Sequence, residues 1–196
     1  MAHCCLTVFL YFYTTMYIFN PENDLALANF SPHYTAPASA LKMRRDLAML
    51  PVWYAPAGAL IIAGKEADSK LLEGLKQVLP ITSWLITPSQ IANHSNREVK
   101  PWGWSPALKK ELLQLGVKEH ILPTIENIKR LRNYSNRKNA VRLLKELKEE
   151  NPHFCGSSFY YTNISQLLNY LNNAEEEQVL KMPLSGSGKG IVWIKG

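Results

Sequence analysis

The sequence predicts an α/β protein: a mostly parallel sheet covered on both faces by helices, followed by a smaller α+β unit. Two observations carry this. Short β-branched or aromatic runs, "MYIF" at 16–19, "ALIIAG" at 59–64 and "SWLIT" at 83–87, alternate with stretches whose apolar residues recur at helical spacing. Such alternation builds parallel sheets joined by crossover helices. Past residue 123 the order changes to helix, short strand, helix and a terminal pair of strands. The 196 residues, 46% of them apolar, allow one or two packed domains and argue against disorder.

From Met16, "MYIF" reads as the first strand, and "NPEND" as a turn into the apolar "LALA". "ASALKMRRDLAML" is expected to be a helix with Met43, Leu47 and Leu50 on one face. "ALIIAG" is a buried strand, and "DSKLLEGLKQVLP" a helix that aligns Leu71, Leu75 and Val78. After the third strand, "SPALKKELLQLGV" starts on Ser105 as N-cap with Pro106 at the first helical position, and stops at Gly116. This domain is assigned to 16–122, with its boundary near "HILPTIENIKR". Upstream, "CCLTVFLYFYTTMYIF" is apolar for sixteen residues. It lacks the basic n-region and cleavage site of a signal peptide, and is shorter than the roughly twenty residues that span a bilayer. Residues 1–15 are therefore expected to be an extension before a natural start at Met16, not a membrane segment.

In the second unit, "YSNRKNAVRLLKELKEENP" reads as a helix with Ser135 as N-cap and Ala140, Leu144 and Leu147 on one face. "FYY" at Phe159 to Tyr161 is expected to be a short strand. "TNISQLLNYLNNA" is a second amphipathic helix with Ile164, Leu167, Leu168 and Leu171 aligned. "QVLKMPL" alternates, Leu180 and Met182 one way, Val179 and Lys181 the other, and "GIVWIKG" returns as its hairpin partner. Between them lie Ser185, Gly186, Ser187, Gly188, Lys189 and Gly190. A P-loop, G-x-x-x-x-G-K-[ST], does not fit, because Pro183 stands at its first glycine and Gly190 at its Ser/Thr. A strand follows where a P-loop opens a helix. Two readings remain: consecutive backbone N–H groups laid over an anion, with Lys181 adding a point charge, or a flexible turn.

The order of basic pair, helix, short strand, helix, Lys-bearing strand, glycine-rich loop and strand resembles the first half of the ATP-grasp fold of carboxylate ligases. "VLKMPLSGSGKGI" is similar to that family's strand–loop–strand, and "SNRK" lies where the family often carries a second ATP-contacting lysine. The resemblance implies a Rossmann-like pre-ATP-grasp domain at 16–122 and a partial α+β ATP-grasp subdomain at 123–196. It implies ATP as cofactor, with Lys181, the 185–190 loop and either Arg137 or Lys138 on its phosphates. It also implies Mg2+ held by acidic and Asn ligands beyond Gly196, so that no metal ligand is expected in this chain. "AEEEQ", Glu175 to Glu177, reads instead as a solvated turn. The chain is accordingly expected to be the front portion of a longer enzyme, inactive alone. Its substrates would be a small-molecule carboxylate, activated as an acyl phosphate, and an amine or similar nucleophile.

Ligands of open α/β sheets bind outside the carboxyl ends of the strands. That rule selects Asn20, Glu22, Asn23 and Asp24 in "FNPENDLA", and Trp102 and Trp104 around Gly103 in "KPWGWSPAL". Turn chemistry and domain-junction packing are the competing readings of these two stretches. His33 and Tyr34 could line the same edge. His94, His120 and His153 are isolated and read as surface or packing residues. The net charge of +6 is spread without a basic block, which argues against a nucleic-acid partner. Cys4, Cys5 and Cys155 form neither a zinc spacing nor a disulfide framework, which suits a reducing cytoplasm. The competing functional class is a non-catalytic α/β binding module with a structural glycine-rich hairpin.

Overall fold

Strands β1 (Thr15–Ile18), β2 (Leu60–Ile62), β3 (Trp84–Ile86) and β4 (Glu98–Pro101) form one parallel sheet in the order β3-β2-β1-β4. The computed structural model describes residues 15–65, 67–185 and 190–194. The expectation of an extension over 1–15 lies outside these residues except at Thr15, which is buried and pairs with Glu98 inside the sheet. The chain divides into two compact units at 128/129.

The period-two alternation of the strands decides the core of the first unit. Met16, Ile18, Leu60, Ile62 and Val99 point to one face and pack with Ile91, Leu108 and Leu112. Tyr17 and Ile61 point to the other, with Val52 and Leu72. The sheet is thus covered on both sides. Helices α1 (Asn23–Asn29), α2 (Ala38–Asp46), α3 (Ser69–Val78) and α4 (Pro106–Gln114) surround it, and α5 (Ile125–Tyr134) crosses the division between the units. Ser105 caps α4 as expected, its Oγ accepting from the Leu108 N–H at 3.3 Å.

Strand β4 is a fourth strand that the sequence did not announce. Val99 is its only fully buried residue, and Glu98, Lys100 and Pro101 hide the strand pattern. Its edge position tolerates the proline, which has no N–H to offer a further neighbour. Two helix faces also differ from expectation. In α3 the stripe that enters the core is Leu72 with the half-buried Leu75, while Leu71 and Val78 are exposed. Adjacent stripes have nearly the same period, and only contact with the sheet selects between them. In α2 no residue is fully buried, and Met43 and Leu47 face solvent. Arg44 turns inward instead, drawn by two carboxylates.

The second unit contains helices α6 (Lys138–Glu150) and α7 (Ile164–Asn172) and an antiparallel hairpin of β5 (Gln178–Lys181) and β6 (Ile191–Ile194). The hairpin register sets Leu180 opposite Val192 and Lys181 opposite Ile191. Two expectations fail here. Helix α6 begins at Lys138, and Ser135 belongs to the end of α5, its N–H donating to Leu131. Asn136 closes the local turn instead, its Oδ1 accepting from the Lys138 N–H at 2.9 Å. Phe159 to Tyr161 is not a strand, since β5 and β6 pair only with each other. Those aromatics anchor by their rings: Phe159 and Tyr161 lie 5.3 and 5.6 Å from Tyr170 of α7.

Candidate functional site

In the order β3-β2-β1-β4 the chain winds from β1 to β3 on one side and returns to β4 on the other. The carboxyl ends of β1 and β4 therefore flank the switch point, where open α/β sheets take their ligands. The two stretches singled out in the sequence meet there. The Trp102 N–H donates to the Ile18 carbonyl at 3.0 Å, which extends the β1–β4 ladder. Beyond it the Asn20 side chain brackets Gly103, with Nδ2 donating to the Gly103 carbonyl at 2.8 Å and Oδ1 accepting its N–H at 3.3 Å. A Cβ at position 103 would lie 2.1 Å from Asn23 Nδ2, so only glycine lets the two segments interlock.

Asn20 is thus held by the structure of the switch point, while Asn23 packs against Gly103 with its Oδ1 buried and without a partner among the described residues. Asp24 is exposed in the first turn of α1, where a carboxylate complements the helix dipole. The tryptophans part company. Trp104 packs against the core, whereas Trp102 is exposed and meets Phe19 edge-on at 5.5 Å. Trp102 is therefore the one of the pair that offers a free aromatic face.

Glu22 enters a network that no local signal reveals. Arg44 Nη1 donates to Glu22 Oε1 at 3.0 Å, and Arg44 forks onto Glu111 at 2.6 and 3.1 Å. Sixty-seven residues separate Arg44 from Glu111, so sequence spacing carries no trace of the pair. Burial works against the charge on Arg44, but the hydrogen bonds and charges of Glu111 and Glu22 outweigh it and push its pKa further up. Glu22 receives one bond from Arg44, and its Oε2 is buried without a partner among the described residues. Burial therefore prevails over Arg44 and raises the Glu22 carboxyl above its ordinary range.

These residues line a cavity of about 340 Å³ bounded by α1, α2, α4 and the 32–36 loop. His33 and Tyr34 both reach it, and His33 Nδ1 is 2.8 Å from Lys110 Nζ. Arg44 also borders a second cavity of about 300 Å³ at the carboxyl ends of β1 and β2. A partly buried ion network and two adjoining cavities thus occupy the edge that the sequence selected.

The hairpin site is built on the second unit alone. The Arg137 guanidinium donates to the Met182 carbonyl at 2.6 Å, to Ser185 Oγ at 2.8 Å and to the Ser185 carbonyl at 2.9 Å. The Arg137 N–H donates to the Pro183 carbonyl at 3.0 Å. Arg137 is therefore a clasp that holds the loop beside the start of α6. Lys138, the other candidate, is exposed, and its amine has no partner among the described residues. Lys181 is exposed on β5 and also without a partner there.

Across the hairpin the Met182 N–H donates to the Gly190 carbonyl at 2.9 Å. Gly190 has φ of 73°, and a Cβ there would lie 2.5 Å from Met182 Cγ, so glycine is required on both grounds. Gly186, Ser187, Gly188 and Lys189 lie outside the described residues. Glu175 to Glu177 are exposed ahead of β5, and among the described residues no cluster of three His, Cys, Asp or Glu side chains is placed to hold a metal. Nor is any described helix long and apolar enough to cross a membrane.

Comparison with protein-family models, with curated proteins and with solved structures returns no match.

Proposed function

We propose that the chain takes part in ATP-dependent activation of a carboxylate, with nucleotide phosphate held by the hairpin unit and small-molecule substrate by the switch-point edge of the sheet. The observation that carries this reading is the Arg137 clasp. It fastens Met182 to Ser185, which lead into the glycine-rich loop, beside the N-terminus of α6, whose dipole favours an anion. Lys138 and Lys181 supply cations on the same unit. In this reading Lys138 is the phosphate contact of the basic pair and Arg137 its positioning partner.

The chemistry follows the ATP-grasp resemblance. A carboxylate oxygen attacks the γ-phosphorus of ATP, ADP leaves, and the acyl phosphate forms. An amine or similar nucleophile then attacks the acyl carbon and expels phosphate. The lysines would offset charge on the phosphate oxygens, a role of positioning and electrostatics rather than covalent participation. The described residues supply no magnesium ligand set, so no step is assigned to the ion.

One observation favours the non-catalytic alternative: three guanidinium bonds would also serve a purely structural hairpin. ATP titration of Lys138→Ala and Lys181→Ala separates the readings. Loss of about tenfold in ATP affinity in each variant, the value of one charge-assisted contact, supports the nucleotide site. Affinity equal to that of the parent chain in both variants would leave the hairpin a structural turn.

A further inference from the structure

The second cavity at the sheet edge was not anticipated by any motif. Its floor is the carboxyl ends of β1 and β2, with Ile18, Phe19, Ile62 and Ala63. Leu41, Arg44 and Arg45 of α2 wall it, and its lining carries two guanidinium groups and no carboxylate. We propose that this cavity binds a small organic carboxylate, whose head pairs with Arg45 and Arg44 and whose apolar body lies on Ile18, Ile62 and Ala63.

The two arginines differ in a way that suits this role. Arg45 is exposed, and its guanidinium has no partner among the described residues. Arg44 is fixed by Glu22 and Glu111, which border the other cavity. Of its five N–H donors, Nη1 and Nη2 use three in those bonds, which leaves two. Glu22 and Glu111 already offset the charge of Arg44, so Arg45 supplies the cation and the two remaining Arg44 N–H groups act as further donors for a planar anion. An open, mostly apolar groove of about 300 Å³ with a few polar groups on its wall has the make-up of a small-ligand site. It also lies outside the strands' carboxyl ends, where open α/β sheets bind ligands. The proposal rests on the proposed function for its carboxylate, but it uses the first unit alone, so its failure is separable from failure of nucleotide binding at the hairpin.

The test is a titration of the full chain with sodium acetate, butyrate and hexanoate at constant ionic strength, followed by amide NMR shifts. 1-Butanol and inorganic phosphate are the controls. Shifts are expected at 18–19, 44–48 and 62–64, with affinity rising about threefold to fourfold per added CH2 as the body enters the apolar floor. Arg45→Gln should weaken butyrate binding about tenfold without lowering Tm, because Arg45 has no partner to lose. Phosphate should bind more weakly than hexanoate. The proposal is overturned if butanol binds as well as butyrate, if phosphate matches hexanoate, or if Arg45→Gln binds like the parent chain.

Discussion

The two units of this chain use similar amphipathic patterns and reach different outcomes. In the first, strand residues alternate between two packed faces, and Met16, Ile61 and Leu112 are completely buried. In the second, no described residue past 128 is fully buried, and Ile164, Leu168, Val192 and Trp193 are exposed on elements whose apolar stripes are equally clear in sequence. A stripe states which side a segment would bury; only a neighbouring layer turns it into a core.

That contrast can be broken first by deletion of side chains. Ile61→Ala, at a fully buried site in the sheet, should cost about 2–5 kcal/mol. Leu168→Ala, at a half-exposed site on α7, should stay within about 0.5 kcal/mol. Denaturant unfolding measures both, and equal losses would erase the distinction between the units.

Glycine substitutions sharpen it within the first unit. Gly103→Ala drives a Cβ into the buried Asn23 side chain and should destabilise by about 1–3 kcal/mol. Gly74→Ala, in α3 with no atom within 4 Å of the new Cβ, should stabilise by about 0.5–1 kcal/mol. Thermal melts that move in the same direction for both would contradict the interlock at the switch point.

A smaller effect concerns pH. Burial raises the Glu22 carboxyl, so the native state holds that proton more tightly than the unfolded chain does. Its contribution to stability is therefore fully present below about 4.5, the ordinary value, and declines as pH rises through the higher folded value. Glu22→Gln removes that decline. The parent chain should lose stability relative to the variant as pH rises from 4 to 7, and a parent chain that gains stability relative to the variant over that range would refute the assignment.

The legibility of the molecule follows the same division. The apolar strands 16–19, 59–64 and 83–87 were readable because β-branched runs bounded by turns have few other structures open to them. Strand β4 was not, since an edge strand needs only one buried residue and tolerates Pro101. Site residues at strand ends, Asn20, Glu22 and Trp102, were placed by a topological rule. Arg44 and Glu111 were invisible, because what pairs them is tertiary proximity. On the hairpin, sequence order left Arg137 and Lys138 equivalent, and three hydrogen bonds distinguish them.

In the proposed function nucleotide binds the hairpin unit and leaves the sheet unit unchanged. Hydrogen exchange with and without Mg-ATP tests it most directly. Without nucleotide, the amides of 178–185 and 190–194 should exchange much faster than those of 60–62. With nucleotide at about one hundred times its dissociation constant, protection over 178–194 should rise up to about one hundredfold, and 60–62 should not change. Exchange over 178–194 that is already slow without nucleotide, or that ignores it, would contradict the account.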